Sequence, residues 1–500
     1  ALIVTASTQH SMFIYKTKLG ADGTVDRYKA RLVVKGCAQR PGLDYDEVFA
    51  PVAHHESIRI VLSVAAARGL LVHQMDVTTA FLIPEIKEVL WMELPRGWPA
   101  ELPGGNSGGT LVARLNKALY GLKQAPRYWY ERLSSWMIGI GFTRSLSDPC
   151  LFVRDLGQHG HFYVTVWVDD LLIVAKRDLD IAAFKKRISG EFAMKDLGVA
   201  HFCLGMRFRF GDGWVSVDQQ RFVGELLERH GLAACHSVLT PLPPGTELRA
   251  ADKEGSGPAS EGNAHLPDDK ALLFREITGA LLYLVTCTRP DVAVAVNQLS
   301  RHMTTPTRAH LAAAKHVLRY LKGTAGLCLR YERQAISEHS NELLGYADAS
   351  WMSVPGTSRS VSGYAFLLNG AAVSWRCKVQ STIALSTAEA EFDALSAAVR
   401  EAVYLRGLMQ EIGLPQLEAT VVREDNQPCI ALCKNAVASQ RTRHVALRFN
   451  FVREKLHAGL IDIEYCPTAE QLADILTKVL PAPQHARLRA RQVEPLPRTR

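Results

Sequence analysis

The stretch Tyr163-Val-Thr-Val-Trp-Val-Asp-Asp-Leu-Leu-Ile-Val-Ala-Lys176 sets two adjacent carboxylates, Asp169 and Asp170, between two short runs of β-branched and aromatic residues. The pattern predicts a β-hairpin with the acids at its tip. Side chains alternate across a strand, so one of two neighbouring acids must face whatever fills the cleft. Two anions held side by side repel, and a divalent cation relieves that repulsion most simply. A solvated Asp-Asp turn would account for the same residues. The remainder of the chain decides between these readings.

A chain of 500 residues has room for roughly two to four domains. Its 47% hydrophobic and 22% charged content excludes a disordered polymer and fits a globular protein with real cores. The apolar runs at 58–72 and 280–296 each contain arginine, so no membrane span is expected. The opening Ala-Leu-Ile-Val-Thr-Ala-Ser lacks a basic n-region, and no signal peptide is expected. Without an initiating Met, the chain is expected to derive from a longer translation product. Ten cysteines form no CxxC pair, which argues against structural zinc and for reduced thiols in a cytoplasmic or nuclear, non-secreted protein. The net charge of +8 permits a polyanionic partner without requiring one.

Working outward toward the N-terminus, two strand-like runs from Phe13 to Lys35 flank an Asp22-Gly23 turn and predict another hairpin. Lys29 and Arg31, two residues apart, share one strand face. They could hold a triphosphate, or simply form a solvated face. Residues 57–69 carry a helical apolar pattern suited to packing on a sheet. Asp76 follows at the end of a short strand, as a metal ligand or a helix N-cap. The segment from Leu115 leads into an amphipathic helix, and its Tyr120, Gln124, Arg127 and Trp129 suit a base pair and its phosphates.

Five ordered motifs make a resemblance specific: Lys29-Ala-Arg-Leu-Val, Gln74-Met-Asp-Val with Ala80-Phe-Leu, Leu119-Tyr-Gly-Leu-Lys-Gln-Ala-Pro126, Val168-Asp-Asp-Leu171, and Met194-Lys-Asp-Leu-Gly198 with Phe202-Cys-Leu-Gly205. Their order and spacing resemble copia-type LTR-retrotransposon reverse transcriptases. The resemblance implies a fingers–palm polymerase domain with Asp76, Asp169 and Asp170 as its carboxylate triad, holding two Mg²⁺ ions, with Mn²⁺ as an alternative. It also implies that Lys29 and Arg31 grip the incoming triphosphate and that Gln124 lies against the template–nucleotide pair.

In the second half, the polar stretch from Pro241 to Asp269 is expected to be a loose linker. Helices are expected over 273–297 and 310–321. Leu343-Leu-Gly-Tyr-Ala-Asp348 is a strand ending in an acid, and Ser386-Thr-Ala-Glu opens a long helix to about Ile412. Within that helix Glu391 aligns with Leu395, Ala398, Ala402, Leu405 and Met409 on the inward stripe, whereas Glu389 points away. Thr420-Val-Val-Arg-Glu-Asp425 is a second strand ending in an acid. Thr468-Ala-Glu-Gln471 is expected to be a capping box, with Asp474 two turns into the helix it starts.

Strand acid, helix acid, strand acid, helix acid is the order of a ribonuclease H domain. Phe366, Ser374, residues 381–386 and Arg441-Thr-Arg-His444 also resemble the copia-type version. The resemblance implies Asp348, Glu391, Asp425 and Asp474 as ligands of two Mg²⁺ ions; surface charge is the alternative. His444 is either a substrate contact or a structural histidine. The implied architecture is an α+β and α/β multidomain chain. A reverse transcriptase region spans 1–240, a linker and connection or thumb-like region 241–341, a ribonuclease H-like mixed-sheet domain 342–480, and a disordered basic tail 481–500.

The implied function is RNA-directed DNA synthesis with ribonuclease H activity. Its partners would be an RNA template, a DNA primer, RNA–DNA hybrid and deoxynucleoside triphosphates, within a cytoplasmic virus-like particle or the nucleus and away from membrane. Four residues depart from the family pattern: Trp167 before the acid pair, Pro84 after Ile83, Ser350 beside Asp348, and Glu424 beside Asp425. They leave open a catalytically inactive remnant that binds nucleic acid, or ribonuclease H activity alone.

Overall fold

The computed structural model describes residues 8–19, 24–98, 112–250, 264–333, 341–434 and 446–496. By contact the chain falls into two units. The first takes Ala1–His54, His73–Ile173 and Asp178–Gly198; the second takes His55–Val72, Val174–Arg177 and Val199–Arg500. These limits differ from the expected division at 240/241. The helix Gln220–Arg229 sends Val223, Leu226 and Leu227 into an apolar cluster with Phe274, Ile277 and Leu281, which draws residues beyond 198 into the second unit.

In the first unit, β1 (Ser11–Leu19) and β2 (Val25–Val34) pair antiparallel as expected, with Lys16 opposite Lys29 and Ile14 opposite Arg31. The Asp22-Gly23 turn lies outside the described residues. The main sheet contains β3 (Leu71–Val77), β4 (Leu151–Asp155), β5 (His161–Trp167), β6 (Asp170–Ala175) and β7 (Met194–Val199). Its order is β7-β3-β6-β5-β4, with Thr143–Arg144 as a sixth strand at the β4 edge. The central β5 and β6 are apolar on both faces, with Phe162, Tyr163, Val164, Leu171, Leu172 and Ile173 all buried, as a covered sheet requires. Trp129, Leu133 and Met137 of the helix Ala125–Gly139, and Ile181, Phe184 and Ile188 of Asp178–Glu191, supply buried apolar faces. Phe184 meets Phe142 and Phe162 at ring distances of 5.6 and 5.3 Å.

The second unit holds two sheets. In one, β8 (Met206–Gly211), β9 (Trp214–Asp218) and β10 (Leu327–Glu332) run antiparallel. The other contains β11 (Leu344–Val354), β12 (Arg359–Leu368), β13 (Ala371–Val379), β14 (Thr420–Glu424) and β15 (Ile461–Tyr465), in the order β13-β12-β11-β14-β15. Its first three strands are antiparallel and its last two run parallel to β11. The helix Thr387–Glu411 lies over β11 and β12, within a residue of its expected bounds. Ser386 caps it, accepting from the Glu389 amide at 3.2 Å, while the Glu389 carboxylate accepts from the Leu385 amide at 2.8 Å. Glu389 therefore serves the helix end and Glu391 the sheet.

The helix His55–Arg68 also belongs here, and Arg59 within its apolar run is buried. Arg59 donates to the carbonyls of Val373 at 2.7 Å and Thr286 at 2.8 Å, and stacks over Trp375 at 4.0 Å. Among the described residues no helix is long and apolar enough to cross a membrane.

Four expectations need correction. The supposed linker is packed over its first ten residues, because Leu242 and Leu248 enter the apolar cluster of the helices; residues 251–263 lie outside the described chain. The helix expected over 273–297 breaks at Arg289-Pro290, and Asp268–Cys287 and Ala293–Ser300 form separately. The segment 468–476 is two short 3₁₀ turns, with the Gln471 side chain accepting from the Ala473 amide in place of a Thr468 capping box. The tail is folded where it is described, over residues 481–496. Leu488 and Val493 are buried, the helix Ala482–Arg489 forms, and Glu494–Pro495 pairs with β10. Among the described residues its arginines bond to the protein itself: Arg491 donates to the Glu470 carbonyl and lies over Tyr346.

Candidate active sites

The first centre stands where β3 meets the β5–β6 hairpin. Asp76 is the penultimate residue of β3, Asp169 sits in the hairpin turn, and Asp170 opens β6, the strand beside β3. The Val77 amide donates to the Asp169 carbonyl at 2.8 Å, which fixes the two acidic segments side by side. The turn requires a left-handed residue, and Val168 takes φ 55°, an uncommon conformation for a β-branched side chain. The buried Trp129 indole donates to the Val168 carbonyl at 2.6 Å and clamps it. Trp129 thus supports the acids from behind and does not face a base.

Burial first, then the charge of Asp169, pushes the Asp76 carboxyl above its usual range, against the pull of Lys195 and Lys29. Burial likewise raises Asp170, against a 3.0 Å hydrogen bond donated by Gln74. Arg31 lies over the Tyr120 ring at 5.3 Å, and the charge of Lys29 acts on Asp76.

Gln124 is placed otherwise than expected. It is 1% exposed and its amide donates to the Asp44 carbonyl at 2.9 Å while accepting from Gln39 at 3.0 Å. An amide buried and committed in this way ties two loops together. Arg127 pairs with Glu131 at 2.7 Å and with Glu47.

The second centre is more tightly drawn. Asp348 lies on β11, Glu391 on the helix above it, and Asp425 just past the end of β14, a parallel neighbour of β11. One ligand atom from each of the three lies within 4.8 Å of the others, and among the described residues no second group of acids, cysteines or histidines converges so closely. The Glu391 carboxylate accepts from the Ala349 amide at 2.6 Å. Gly363 lies directly opposite Asp348. A Cβ there would stand 2.7 Å from Thr477 and 2.9 Å from Leu476, so only glycine lets that turn settle against the sheet.

The turn delivers Asp474, Thr477 and Lys478. The Thr477 hydroxyl donates to Asp348, and the Lys478 ammonium donates to Asp348 Oδ1 at 3.1 Å and Asp474 Oδ1 at 2.6 Å. Gln471 secures the turn from below, donating to the Ala347 carbonyl at 2.9 Å.

Burial and the charges of Asp348 and Asp425 push Glu391 up to about 9, and burial with Asp348 pushes Asp474 up to about 6. Glu424 is fully buried beside this group. Its Oε1 accepts from the Asn426 amide at 3.1 Å, Oε2 has no partner among the described residues, and burial raises its carboxyl strongly. These carboxylates hold more negative charge than their surroundings accommodate, which is the condition a divalent cation resolves. The donor set of hard oxygens suits Mg²⁺.

Sequence reasoning missed Lys478 and Thr477 and gave Gln471 only a helix-capping role. Lys478 stands four residues after Asp474, the spacing at which an acid and a base meet on a helical turn. His444 falls in 435–445, outside the described residues.

Residues 7–244 match the family described as reverse transcriptase (RNA-dependent DNA polymerase). The chain is 39% identical over 475 residues to the Retrovirus-related Pol polyprotein from transposon TNT 1-94 of Nicotiana tabacum, covering 94% of this chain and 34% of that protein. It is 31% identical over 330 residues to the putative transposon Ty5-1 protein of Saccharomyces cerevisiae, covering 65% of this chain and 100% of that one. Among solved structures, RNase H1 from Halobacterium salinarum overlaps 27% of this chain and 94% of its own at 19% identity, with a TM-score of 0.20. The chain spans about a third of the tobacco polyprotein. It belongs to the reverse transcriptase family, as a segment of a copia-type LTR-retrotransposon Pol polyprotein.

Proposed function

We propose that this segment copies RNA into DNA at the first centre and cleaves the RNA of the resulting hybrid at the second. The observation that carries the reading is the convergence of Asp348, Glu391 and Asp425 within 4.8 Å, in a chain that also presents Asp76 and Asp170 on adjoining strands with Asp169 in the turn beside them. On this reading the sheet bearing Asp76 is a palm and the β1–β2 hairpin belongs to the fingers. Asp76 and Asp169, assisted by Asp170, would hold Mg²⁺ in the palm. Asp348, Glu391 and Asp425 would hold it in the second unit, with Asp474 beside a further ion. Bound there, Mg²⁺ supplies charge that activates the attacking oxygen and stabilises the departing one.

The protein's own part is positional. Val168 and Trp129 fix the acid turn, and Gln74 orients Asp170. Lys29 and Arg31 neutralise an incoming triphosphate, and the direct opposition of Lys16 and Lys29 favours a polyanion between them. In the second unit the Ala349 amide orients Glu391. Discrimination of RNA from DNA rests on the 2′-hydroxyl.

The test is primer extension on a primed RNA template, with Mg²⁺ and with EDTA, following labelled RNA and DNA together. Metal-dependent extension with RNA shortening supports both activities and makes Trp167, Pro84, Ser350 and Glu424 tolerated variants. RNA cleavage without extension would confine chemistry to the second unit. A hybrid that binds while neither strand changes would mark an inactive copy.

A further inference from the structure

The four acids of the second unit are not equivalent. Asp348, Glu391 and Asp425 converge on one another, whereas Asp474 is joined to Asp348 through the Lys478 ammonium, at 2.6 and 3.1 Å. Both carboxylates are almost wholly buried and the lysine side chain is 34% exposed. Gln484 donates to the other Asp474 oxygen at 3.3 Å, and the Thr477 hydroxyl donates to Asp348. Among the described residues, Lys478 is the cation that ion-pairs with any of the four acids. Its place is set by the fold, because the Leu472–Leu476 turn rests on Gly363 and is secured by Gln471.

We infer that Lys478 is a built-in cation occupying the Asp348–Asp474 side of the centre, so that one divalent ion binds readily at Asp348, Glu391 and Asp425 and a second enters only by displacing the lysine. The inference rests on reading these acids as a metal centre. An ammonium and a divalent ion sharing Asp348 and Asp474 would repel at contact distance, and two buried carboxylates would lose a bound positive charge when the lysine leaves. Filling of the second position is thereby made harder in the free protein than filling of the first.

The test counts Mn²⁺ ions by the electron paramagnetic resonance of free Mn²⁺. It uses the full chain carrying Asp76→Asn and Asp169→Asn to remove the contribution of the first centre, without nucleic acid. The parent should bind one ion, with a second at least about tenfold weaker. Lys478→Met should bind two with affinities within about threefold of each other, and Lys478→Arg should behave as the parent. Two equally tight ions in the parent would overturn the inference. So would a Lys478→Met isotherm that matches the parent in a folded protein. If the methionine variant does not fold, the parent and Lys478→Arg isotherms decide the matter by the same criterion. Adding Asp348→Asn separates the two levels: if it leaves Mn²⁺ binding unchanged, the metal-centre reading itself fails and the inference falls with it.

Discussion

The two acid centres carry their tension differently. At the centre of Asp76, Asp169 and Asp170, burial and charge also raise the carboxyls of Asp76 and Asp170, but the backbone carries part of the tension, where Val168 holds a left-handed turn that the Trp129 indole clamps. At Asp348, Glu391, Asp425 and Asp474 the tension is electrostatic, with buried carboxyls held above their usual range around one lysine. A hairpin turn with half-buried acids aims them by bending the chain. Acids brought together by a sheet and the helix above it are aimed already, and what has to be managed is their charge.

The largest effect should come from that charge. In the metal-free chain Glu391 keeps its proton to about 9, against 4.5 for an ordinary glutamate. Folded protein therefore binds the extra proton between those values, and stability falls as pH rises through them. Urea midpoints in EDTA should decline between about pH 5 and about pH 9, and saturating Mg²⁺ should flatten the decline. A flat profile in EDTA would mean that the tension is not in the charge.

Next in size is Glu424. With burial raising its carboxyl strongly, it should tolerate Glu424→Gln at a cost below about 1 kcal/mol, while Glu424→Ala should lose about 2–4 kcal/mol in denaturant unfolding. Equal losses would count against a protonated carboxyl at this position.

For the backbone centre, Trp129→Phe removes the clamp on Val168 and should cost about 1–2 kcal/mol. DNA extension should fall while RNA cleavage persists. The smallest effect is expected of Val168→Gly, which accepts the positive φ freely and should change the unfolding free energy by less than about 1 kcal/mol, toward greater stability. A large loss would place the tension of this turn elsewhere.

Much of this contrast was legible in the sequence because it depended on periodicity. Glu391 was separated from Glu389 by alignment with Leu395 and Ala398, and both hairpins followed from alternation. What periodicity could not supply was the partner of each polar group. Gln124 looked like a substrate contact because a buried amide and an exposed one are spelled the same; only the positions of Gln39 and Asp44 show it to be committed. The tail looked disordered because its arginines outnumber Leu488 and Val493, yet those two anchor it. Lys478 went unnoticed because its role depends on Asp348, 130 residues away, as much as on its neighbour Asp474.

The central claim is that one chain holds two chemically independent centres, and a double dissociation tests it most directly. Asp169→Asn and Asp348→Asn would be assayed in Mg²⁺ on a primed, doubly labelled RNA–DNA substrate. Asp169→Asn should lose DNA extension by at least about a hundredfold and keep RNA cleavage, and Asp348→Asn should do the reverse. Loss of both activities in either folded variant, or retention of both, would contradict the account.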